Sequence, residues 1–363
     1  GGGKWGESRV PEAFEEGLTS NFWIYHDDFD DDMAESKASK GEAGKDEQQE
    51  YSFGNPPPMG NPFTGGMVGT GEPPSQFLPL RHFRGSSLAQ TFNMRERLKR
   101  PEPMLGFGLG MPSSEVARLI ATVGFDFVFV DWEHVPMGIK ELTELVRWIN
   151  LAGEGTCGSL VRLPSHDHTW IAWALDAGAS GVILPHTNTA AQAKAAVDAA
   201  RFSTQGGHRS FPPFAMHIGV NDGDQHGALP WDIWNRAAVF CQLEDGLAVE
   251  NAAEIAQVEG VDGLMIGHSD LRSDLGLMMS GNGDEPEYVA AVEKIMKAAK
   301  DHGDLPVLTF APNVAEVEQR RKQGFRLLMI GADGFTLAAG MRDILNQAHD
   351  KVVEVDGKAP PGA

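Results

Sequence analysis

Residues 127–134 read FVFVDWEH, four apolar residues followed by two acids, a tryptophan and a histidine. A short apolar run without polar alternation is typical of a strand buried on both faces of a parallel sheet. Comparable runs recur along the chain, at Leu105–Leu109, Phe127–Val130, Leu160–Val161, Val182–Leu184, Val239–Leu243, Leu264–Ile266, Val307–Phe310 and Leu327–Ile330. Helical stretches rich in Ala, Glu and Leu separate most of them. Eight such units over roughly 245 residues predict an α/β protein, a (β/α)8 TIM barrel.

The composition excludes some classes of function. The net charge of −21 and the isoelectric point near 4.9 disfavour nucleic-acid binding, which needs clustered Lys and Arg. No apolar run approaches the ~18 residues that would cross a bilayer. Cys157 and Cys241 are too few for a disulfide framework or a thiolate zinc site. We therefore expect small-molecule chemistry in a cytoplasmic protein without nucleic-acid or membrane partners.

The first part of the chain differs in character from the rest. Residues 1–80 carry 15 acidic and 5 basic side chains, and the final third of this segment is rich in Pro and Gly. Such a segment cannot bury enough apolar surface to form its own core. We expect an acidic N-terminal extension over residues 1–85, a barrel domain over residues 86–355 and a C-terminal tail over residues 356–363.

A competing interpretation concerns the first predicted strand, where GFGLGM precedes a helix. This layout is that of a dinucleotide-binding fingerprint. The third glycine of G-x-G-x-x-G, however, would fall on Met111. The barrel is the better prediction.

Ionisable side chains stand where several predicted strands end. They are Asp131, Glu133 and His134 after strand two, Arg162 after strand three, Gln242, Glu244 and Asp245 after strand five, and Asp270 after strand six. The carboxyl ends of barrel strands form the active-site face. Because neighbouring strands lie ~4.8 Å apart, Glu244 and Asp270 can converge on one divalent cation. The alternative is that each acid caps the helix that follows it.

These residues resemble the HpcH/HpaI aldolases, metal-dependent enzymes that make and cleave 2-oxo acids. The resemblance runs from about Leu105 to about Ile344. It rests on five motifs: D-x-E-H (Asp131, Glu133, His134), V-R-x-P (Val161, Arg162, Pro164), L-D-x-G-A (Leu175, Asp176, Gly178, Ala179), Q-x-E (Gln242, Glu244) and G-x-x-D-L (Gly267, Asp270, Leu271). The segments LVRLPSHD, ALDAGASGVILPH and GGHRSFPPF are most similar to the fungal macrophomate synthase-like branch.

The resemblance and the side-chain chemistry together predict a site. Glu244 and Asp270 are expected to bind Mg²⁺ or Mn²⁺, with Co²⁺ as a further candidate. Arg162 is expected to stabilise negative charge on substrate oxygens. His134 is the candidate for proton transfer, directly or through a metal-bound water, with Asp131 or Asp176 orienting its ring.

Further residues are expected to contact the substrate. Gln242 is predicted to contact the substrate or a metal-bound water, and the backbone N–H groups of Ser269 and Asp270 to hold its carboxylate. The chain departs from the family pattern at Trp132 and His268, and both are expected beside the substrate. Phe211 is predicted to form part of an apolar wall for the acceptor.

The leading functional prediction is a divalent-metal aldolase that joins pyruvate, as its enolate, to an aldehyde or another electrophile, or cleaves the product. An oxaloacetate decarboxylase and cyclase like macrophomate synthase is the alternative. A non-catalytic assembly protein that uses the barrel and its tail is a third hypothesis. The apolar stripe of the final helix crosses to a partner subunit in the family, so a homo-oligomer, a trimer or hexamer, is expected.

Overall fold

The computed structural model describes residues 92–212 and 230–357. Within them, eight parallel strands close into a barrel in sequence order, which confirms the predicted fold class. Every predicted apolar run lies within a strand. The strands are β1 (Met104–Leu109), β2 (Phe127–Asp131), β3 (Gly158–Arg162), β4 (Gly181–Leu184), β5 (Ala238–Leu243), β6 (Gly263–Ile266), β7 (Val307–Phe310) and β8 (Leu327–Ala332).

One helix precedes β1 and packs against the cluster inside the barrel, and the other helices follow the strands. The helices are α1 (Met94–Leu98), α2 (Ser114–Val123), α3 (Ile139–Gly153), α4 (His168–Asp176), α5 (Ala190–Ala200), α6 (Pro230–Trp234), α7 (Gly246–Glu250), α8 (Ala252–Ala256), α9 (His268–Asp274), α10 (Pro286–Asp301), α11 (Val314–Lys322) and α12 (Asp333–Asp356). Several begin at a side-chain cap; Ser113, for example, accepts a hydrogen bond from the backbone N–H of Val116.

The apolar residues form two layers because successive strand side chains point to opposite faces. Phe127, Phe129, Leu160 and Phe240 belong to the cluster inside the barrel. A larger cluster lies between the strands and the helices. The inner layer fills the barrel, so that open space for a ligand is found at its mouth.

Parts of the predicted organisation lie outside the described residues. These are the extension over residues 1–85, residues 86–91 and 213–229 of the predicted barrel domain, and residues 358–363 of the predicted tail. In the described part of the chain, no helix is both long enough and apolar enough to pass through a membrane.

Candidate active site

The carboxyl ends of the strands surround a cavity of about 700 Å³. Several side chains predicted at strand ends line it: Asp131, Arg162, Gln242, His268, Ser269 and Asp270. This volume lies within the roughly 300–1,000 Å³ typical of small-molecule sites. The strand ends therefore meet at one pocket, as the sequence predicted.

Asp131 and Arg162 form a two-pronged ion pair at the mouth. They are register partners on β2 and β3, which places their side chains next to each other. Arg162 donates from Nε to Asp131 Oδ1 at 3.0 Å and from Nη2 to Oδ2 at 2.7 Å. Its Nε also lies 3.2 Å from Glu133 Oε2. Burial tends to lower the pKa of Arg162, but the bond and charge of Asp131 and the charge of Glu133 raise it above its ordinary value.

Glu244 is a buried carboxylate directly after β5, only 2% exposed. Burial raises its pKa, and the negative charge of nearby Asp270 acts in the same direction. The amide nitrogen of Gln242 donates to Glu244 Oε2. The amide oxygen of Gln242 is buried and accepts no hydrogen bond. The site thus holds two carboxylates and one unsatisfied acceptor, all of which a cation would stabilise.

Gly267 makes room for this arrangement. A Cβ atom placed on it would lie 2.3 Å from Glu244 Oε2 and 3.0 Å from the amide nitrogen of Gln242. The close approach of the β6 exit to the β5 exit therefore requires glycine at this position.

The residues present fit a divalent ion held by two protein carboxylates. Glu244 and Asp270 are the candidate ligands, and waters or substrate would supply the others, as Mg²⁺ prefers. No group of three or more His, Cys, Asp or Glu side chains in residues 92–212 and 230–357 is arranged to hold a metal. The arrangement thus differs from a metal site closed by protein ligands alone.

His186 belongs to the site, although the sequence interpretation did not include it. It stands two residues after the end of β4. Its backbone N–H donates to Glu244 Oε1 at 2.6 Å, and its Nδ1 lies 3.3 Å from the same oxygen. Its Nε2 lies 4.0 Å from Glu133 Oε1. The backbone at His186 has φ of 47°, in the left-handed region that residues other than glycine seldom adopt.

His134 stands at the rim of the mouth. Its side chain is 64% exposed, and its Nε2 lies 3.6 Å from Glu133 Oε2. Its backbone N–H donates to Asp131 Oδ1 at 3.3 Å. Asp131 therefore contacts the backbone of His134 and not its ring. The role of His134 in proton transfer stays a prediction.

His268 lines the cavity, but both ring nitrogens already have partners. Its Nε2 lies 2.7 Å from Thr309 Oγ1, and its Nδ1 lies 2.7 Å from the Tyr288 hydroxyl. Since Thr309 donates its own proton to the Phe310 carbonyl, Nε2–H donates and Nδ1 accepts. Burial holds the pKa of His268 well below its ordinary value, which agrees with this neutral form. His268 thus contributes ring surface to the cavity and anchors the start of α9, while carboxylate binding by the N–H groups of Ser269 and Asp270 stays a prediction.

Trp132 does not contact the cavity. It is 4% exposed, its indole N–H donates to the Met137 carbonyl at 2.9 Å, and its ring packs edge-on against Trp170 at 5.0 Å. Because Asp131 faces the mouth, the next side chain points towards the helices. The predicted position of Trp132 beside the substrate is therefore not formed at this cavity.

Asp176 and Phe211 are not brought to this cavity within one chain. Asp176 ends α4, which runs from the mouth to the opposite end of the barrel, and it accepts from Arg209 Nη2 at 2.5 Å. Phe211 packs against Phe202 and Trp234, with ring centroids 6.3 and 5.7 Å away. The proposed contact of Asp176 with the His134 ring is not formed, and the apolar wall lacks Phe211.

Asp333, the first residue of α12, is a further lining residue that the sequence interpretation missed. Its carboxylate accepts hydrogen bonds from the backbone N–H groups of Gly110, Met111 and Gly334 at 2.7–3.1 Å. The exits of β1 and β8 are thereby joined. The glycine-rich GFGLGM segment directs its N–H groups to this acid, so the dinucleotide interpretation has no support here.

Residues 108–339 match the family model described as HpcH/HpaI aldolase/citrate lyase. The chain belongs to this family. The 4-hydroxy-2-oxo-heptane-1,7-dioate aldolase of Salmonella dublin is 30% identical over 68% of this chain and 90% of its own length. The 4-hydroxy-2-oxovalerate aldolase of Novosphingobium aromaticivorans is 28% identical over 73% of this chain and 97% of its own. A solved structure of macrophomate synthase is 29% identical, with a TM-score of 0.66, over 74% of this chain and 93% of that one.

These findings confirm the predicted family and the predicted class of enzyme, an aldolase-type lyase. They also include macrophomate synthase, to which the sequence segments around β3 and β4 were compared. The assignment of roles to individual residues rests on the geometry of the cavity.

Proposed function

We propose that this protein is a divalent-metal-dependent carbon–carbon lyase that forms or cleaves 2-oxo acids through the enolate of pyruvate. One observation carries the proposal: Asp270 and Arg162, from the exits of β6 and β3, line one cavity, and the buried carboxylate of Glu244 at the exit of β5 is close enough for its charge to interact with both. Enolate chemistry requires concentrated positive charge at the oxygen where negative charge develops. The relatives are named as aldolases of 4-hydroxy-2-oxo acids.

In the cleavage direction, the bond between C3 and C4 of a 4-hydroxy-2-oxo acid breaks. Its electron pair passes into the pyruvate enolate, the C4 hydroxyl loses its proton to a base, and the aldehyde departs. A bound Mg²⁺ or Mn²⁺ ion would supply Lewis acidity at the keto oxygen. Co²⁺ is a further candidate for the same ligands.

Arg162 is the proposed electrophilic partner. Its contacts with Asp131 engage Nε and Nη2, which leaves Nη1 as the nitrogen available to a substrate oxygen. Asp131 and Glu133 hold the guanidinium plane in place, so little reorganisation is needed as charge develops.

His134 is the proposed proton carrier, and His186 is a second candidate. Both imidazoles are more than half exposed and border Glu133. An exposed imidazole can exchange protons with water. Gln242 would orient the Glu244 carboxylate through its amide.

The test is exchange of the methyl protons of pyruvate in D₂O, followed by NMR with Mg²⁺ present. We expect exchange by the full-length protein and loss of at least a hundredfold in Glu244→Gln. Circular dichroism should show that the variant remains folded. Absence of exchange by the folded, metal-loaded protein would overturn the proposal.

The macrophomate synthase likeness favours a second candidate, decarboxylation of oxaloacetate to the same enolate. Loss of CO₂ leaves its electron pair on C3, which a proton or an electrophile then receives. Release of pyruvate from oxaloacetate above the rate with metal alone would support it. Pyruvate proton exchange without release of pyruvate from oxaloacetate would support the aldolase and exclude the decarboxylase.

A homo-oligomer, a trimer or hexamer, is part of the proposal. Several apolar side chains of α12 are exposed in the single chain, among them Met341 at 57%, Ile344 at 69% and Val355 at 81%. A long helix with such a face is stabilised by burial against another surface. Size-exclusion chromatography with light scattering would test this, and a cytoplasmic location stays a prediction.

A further inference from the structure

The mouth of the barrel has two chemically different halves. The polar half contains Asp131, Arg162, Gln242, Ser269 and Asp270, from β2, β3, β5 and the start of α9, together with the apolar Phe129, Met265 and Ile266 of β2 and β6. The apolar half consists of Leu109, Met111, Phe310, Met329 and Phe335, from β1, β7, β8 and α12. The proposed enolate chemistry uses the polar half alone. The apolar half therefore faces whatever binds beside the enolate.

Small residues keep the apolar half open. Gly108, Gly110, Ala332 and Gly334 also line the cavity on this side. A Cβ atom on Gly108 would lie 2.9 Å from the Ala332 side chain and 3.3 Å from Met329 Sδ. The Met111 methyl group lies 4.0 Å from the Cβ position of Gly334. Bulky thioether and aromatic groups thus surround space that the backbone leaves free.

The charges of this half do not suit a second carboxylate on the ligand. Among the described residues that line the cavity, Arg162 is the only Arg or Lys, and Asp131 and Glu133 already pair with it. Arg320 and Arg272 lie nearby but are buried, and they are held by the Gly281 carbonyl and by Glu285. Asp333 is the ionisable group on the apolar side, and it is negative.

We propose that the acceptor is an uncharged aldehyde with an apolar or aromatic body, and that the apolar half selects it. This inference rests on the proposed function, because it names the second substrate of the same site. C3 of the enolate would attack the aldehyde carbon, and the carbonyl electrons would move to oxygen, which takes a proton to become the product hydroxyl. Aromatic rings and Met sulfur would contact the body of the acceptor favourably.

The experiment compares two aldehydes with pyruvate and Mg²⁺, benzaldehyde and succinic semialdehyde. We expect kcat/KM for benzaldehyde to exceed that for the carboxylate-bearing aldehyde by at least tenfold. Pyruvate proton exchange in D₂O is measured on the same preparation. Equal values or a preference for succinic semialdehyde, with exchange present, would overturn this inference and leave the proposed function standing. Absence of exchange would overturn both.

Three variants test whether the apolar half sets the preference for benzaldehyde over succinic semialdehyde. Phe310→Ala should reduce the ratio of kcat/KM for benzaldehyde to kcat/KM for succinic semialdehyde about tenfold. Because slower enolate formation would lower both values equally, it would leave this ratio unchanged. Met111→Lys adds a cation on the apolar side and should raise kcat/KM for succinic semialdehyde, which a folding defect could not do. Met278→Ala is the matched control, because Met278 is 82% exposed and is not among the residues that line the cavity. An unchanged ratio in both Phe310→Ala and Met111→Lys would overturn the assignment.

Discussion

The polar and apolar halves of the mouth are built in different ways. Strand register and ion pairs fix the polar half: Asp131 and Arg162 are register partners, and Glu244 is held by the Gln242 amide and the His186 backbone. In the apolar half, glycines and Ala332 leave room, and flexible or flat side chains fill its edge. In such a site, substitutions in the apolar half can change which acceptor binds without changing enolate formation in the polar half, because different strands supply the two halves.

The largest expected effect lies in the polar half. Arg162→Lys keeps the charge but loses the planar fork that Asp131 holds in place. We expect the rate of pyruvate proton exchange to fall on the order of a hundredfold, the typical cost of one pre-placed donor. NMR in D₂O measures it. Arg147→Lys, on the exposed face of α3, should exchange at the normal rate, and a full rate in Arg162→Lys would remove the electrophilic role.

Gly267→Ala tests whether the polar half depends on the close approach of the β5 and β6 exits. The added Cβ would displace the Glu244 carboxylate, so Mg²⁺ affinity should fall roughly tenfold or more. Isothermal titration calorimetry gives the dissociation constant. In α12, a Cβ on Gly340 would meet nothing within 4 Å, so Gly340→Ala should bind normally. Equal affinity for both variants would show that Glu244 is not a ligand.

Asp333→Asn probes the join between β1 and β8 beneath the apolar half. Its carboxylate accepts hydrogen bonds from three backbone N–H groups, and an amide would replace one acceptor oxygen by a donor. We expect the free energy of unfolding to fall by roughly 1–2 kcal/mol. Urea denaturation measures this, with Asp343→Asn on the exposed side of α12 as the control. No difference between the two variants would contradict the structural role.

The smallest expected effect concerns the two thiols, which belong to neither half. Burial raises the pKa of both Cys157 and Cys241 to about 12. These thiols therefore keep their protons at pH 8, and iodoacetamide should modify neither in the native protein. The folded-state pKa exceeds the unfolded value of 9.0, so their contribution to stability is intact below pH 9 and declines as the pH rises towards 12. Mass spectrometry should find both modified in urea, and modification in native buffer would show that the burial is incomplete.

Strand-end reasoning predicted much of the polar half because the chemistry follows directly from barrel topology. Asp131, Arg162, Gln242 and Asp270 line the cavity as expected. The helix-cap alternative applies to Asp245, which accepts from the Ala248 N–H, while its neighbour Glu244 accepts from the His186 N–H and the Gln242 amide. Two adjacent acids at one strand end thus serve different purposes, which sequence alone could not separate.

The remaining residues were missed for identifiable physical reasons. Trp132 was placed beside the substrate because the alternation of side chains was not carried one residue past the strand. Asp176 lies a full helix beyond its strand exit, at the other end of the barrel. His186 stands after Leu184 and Pro185, a strand exit that the same reasoning would have found. The apolar half depends on contacts between strands far apart in sequence, which no local pattern encodes.

The carboxylate of Asp333 has a consequence for evolution of substrate choice. Many barrels bind a phosphate group near the ends of their seventh and eighth strands, using backbone N–H groups as the cradle. Here a tethered acid occupies the amides of Gly110, Met111 and Gly334. A phosphate group would have to compete for these amides with the Asp333 carboxylate. Because Asp333 belongs to the same chain, its effective concentration at the amides is high. These three amides are therefore not free to bind a phosphate group unless Asp333 is replaced.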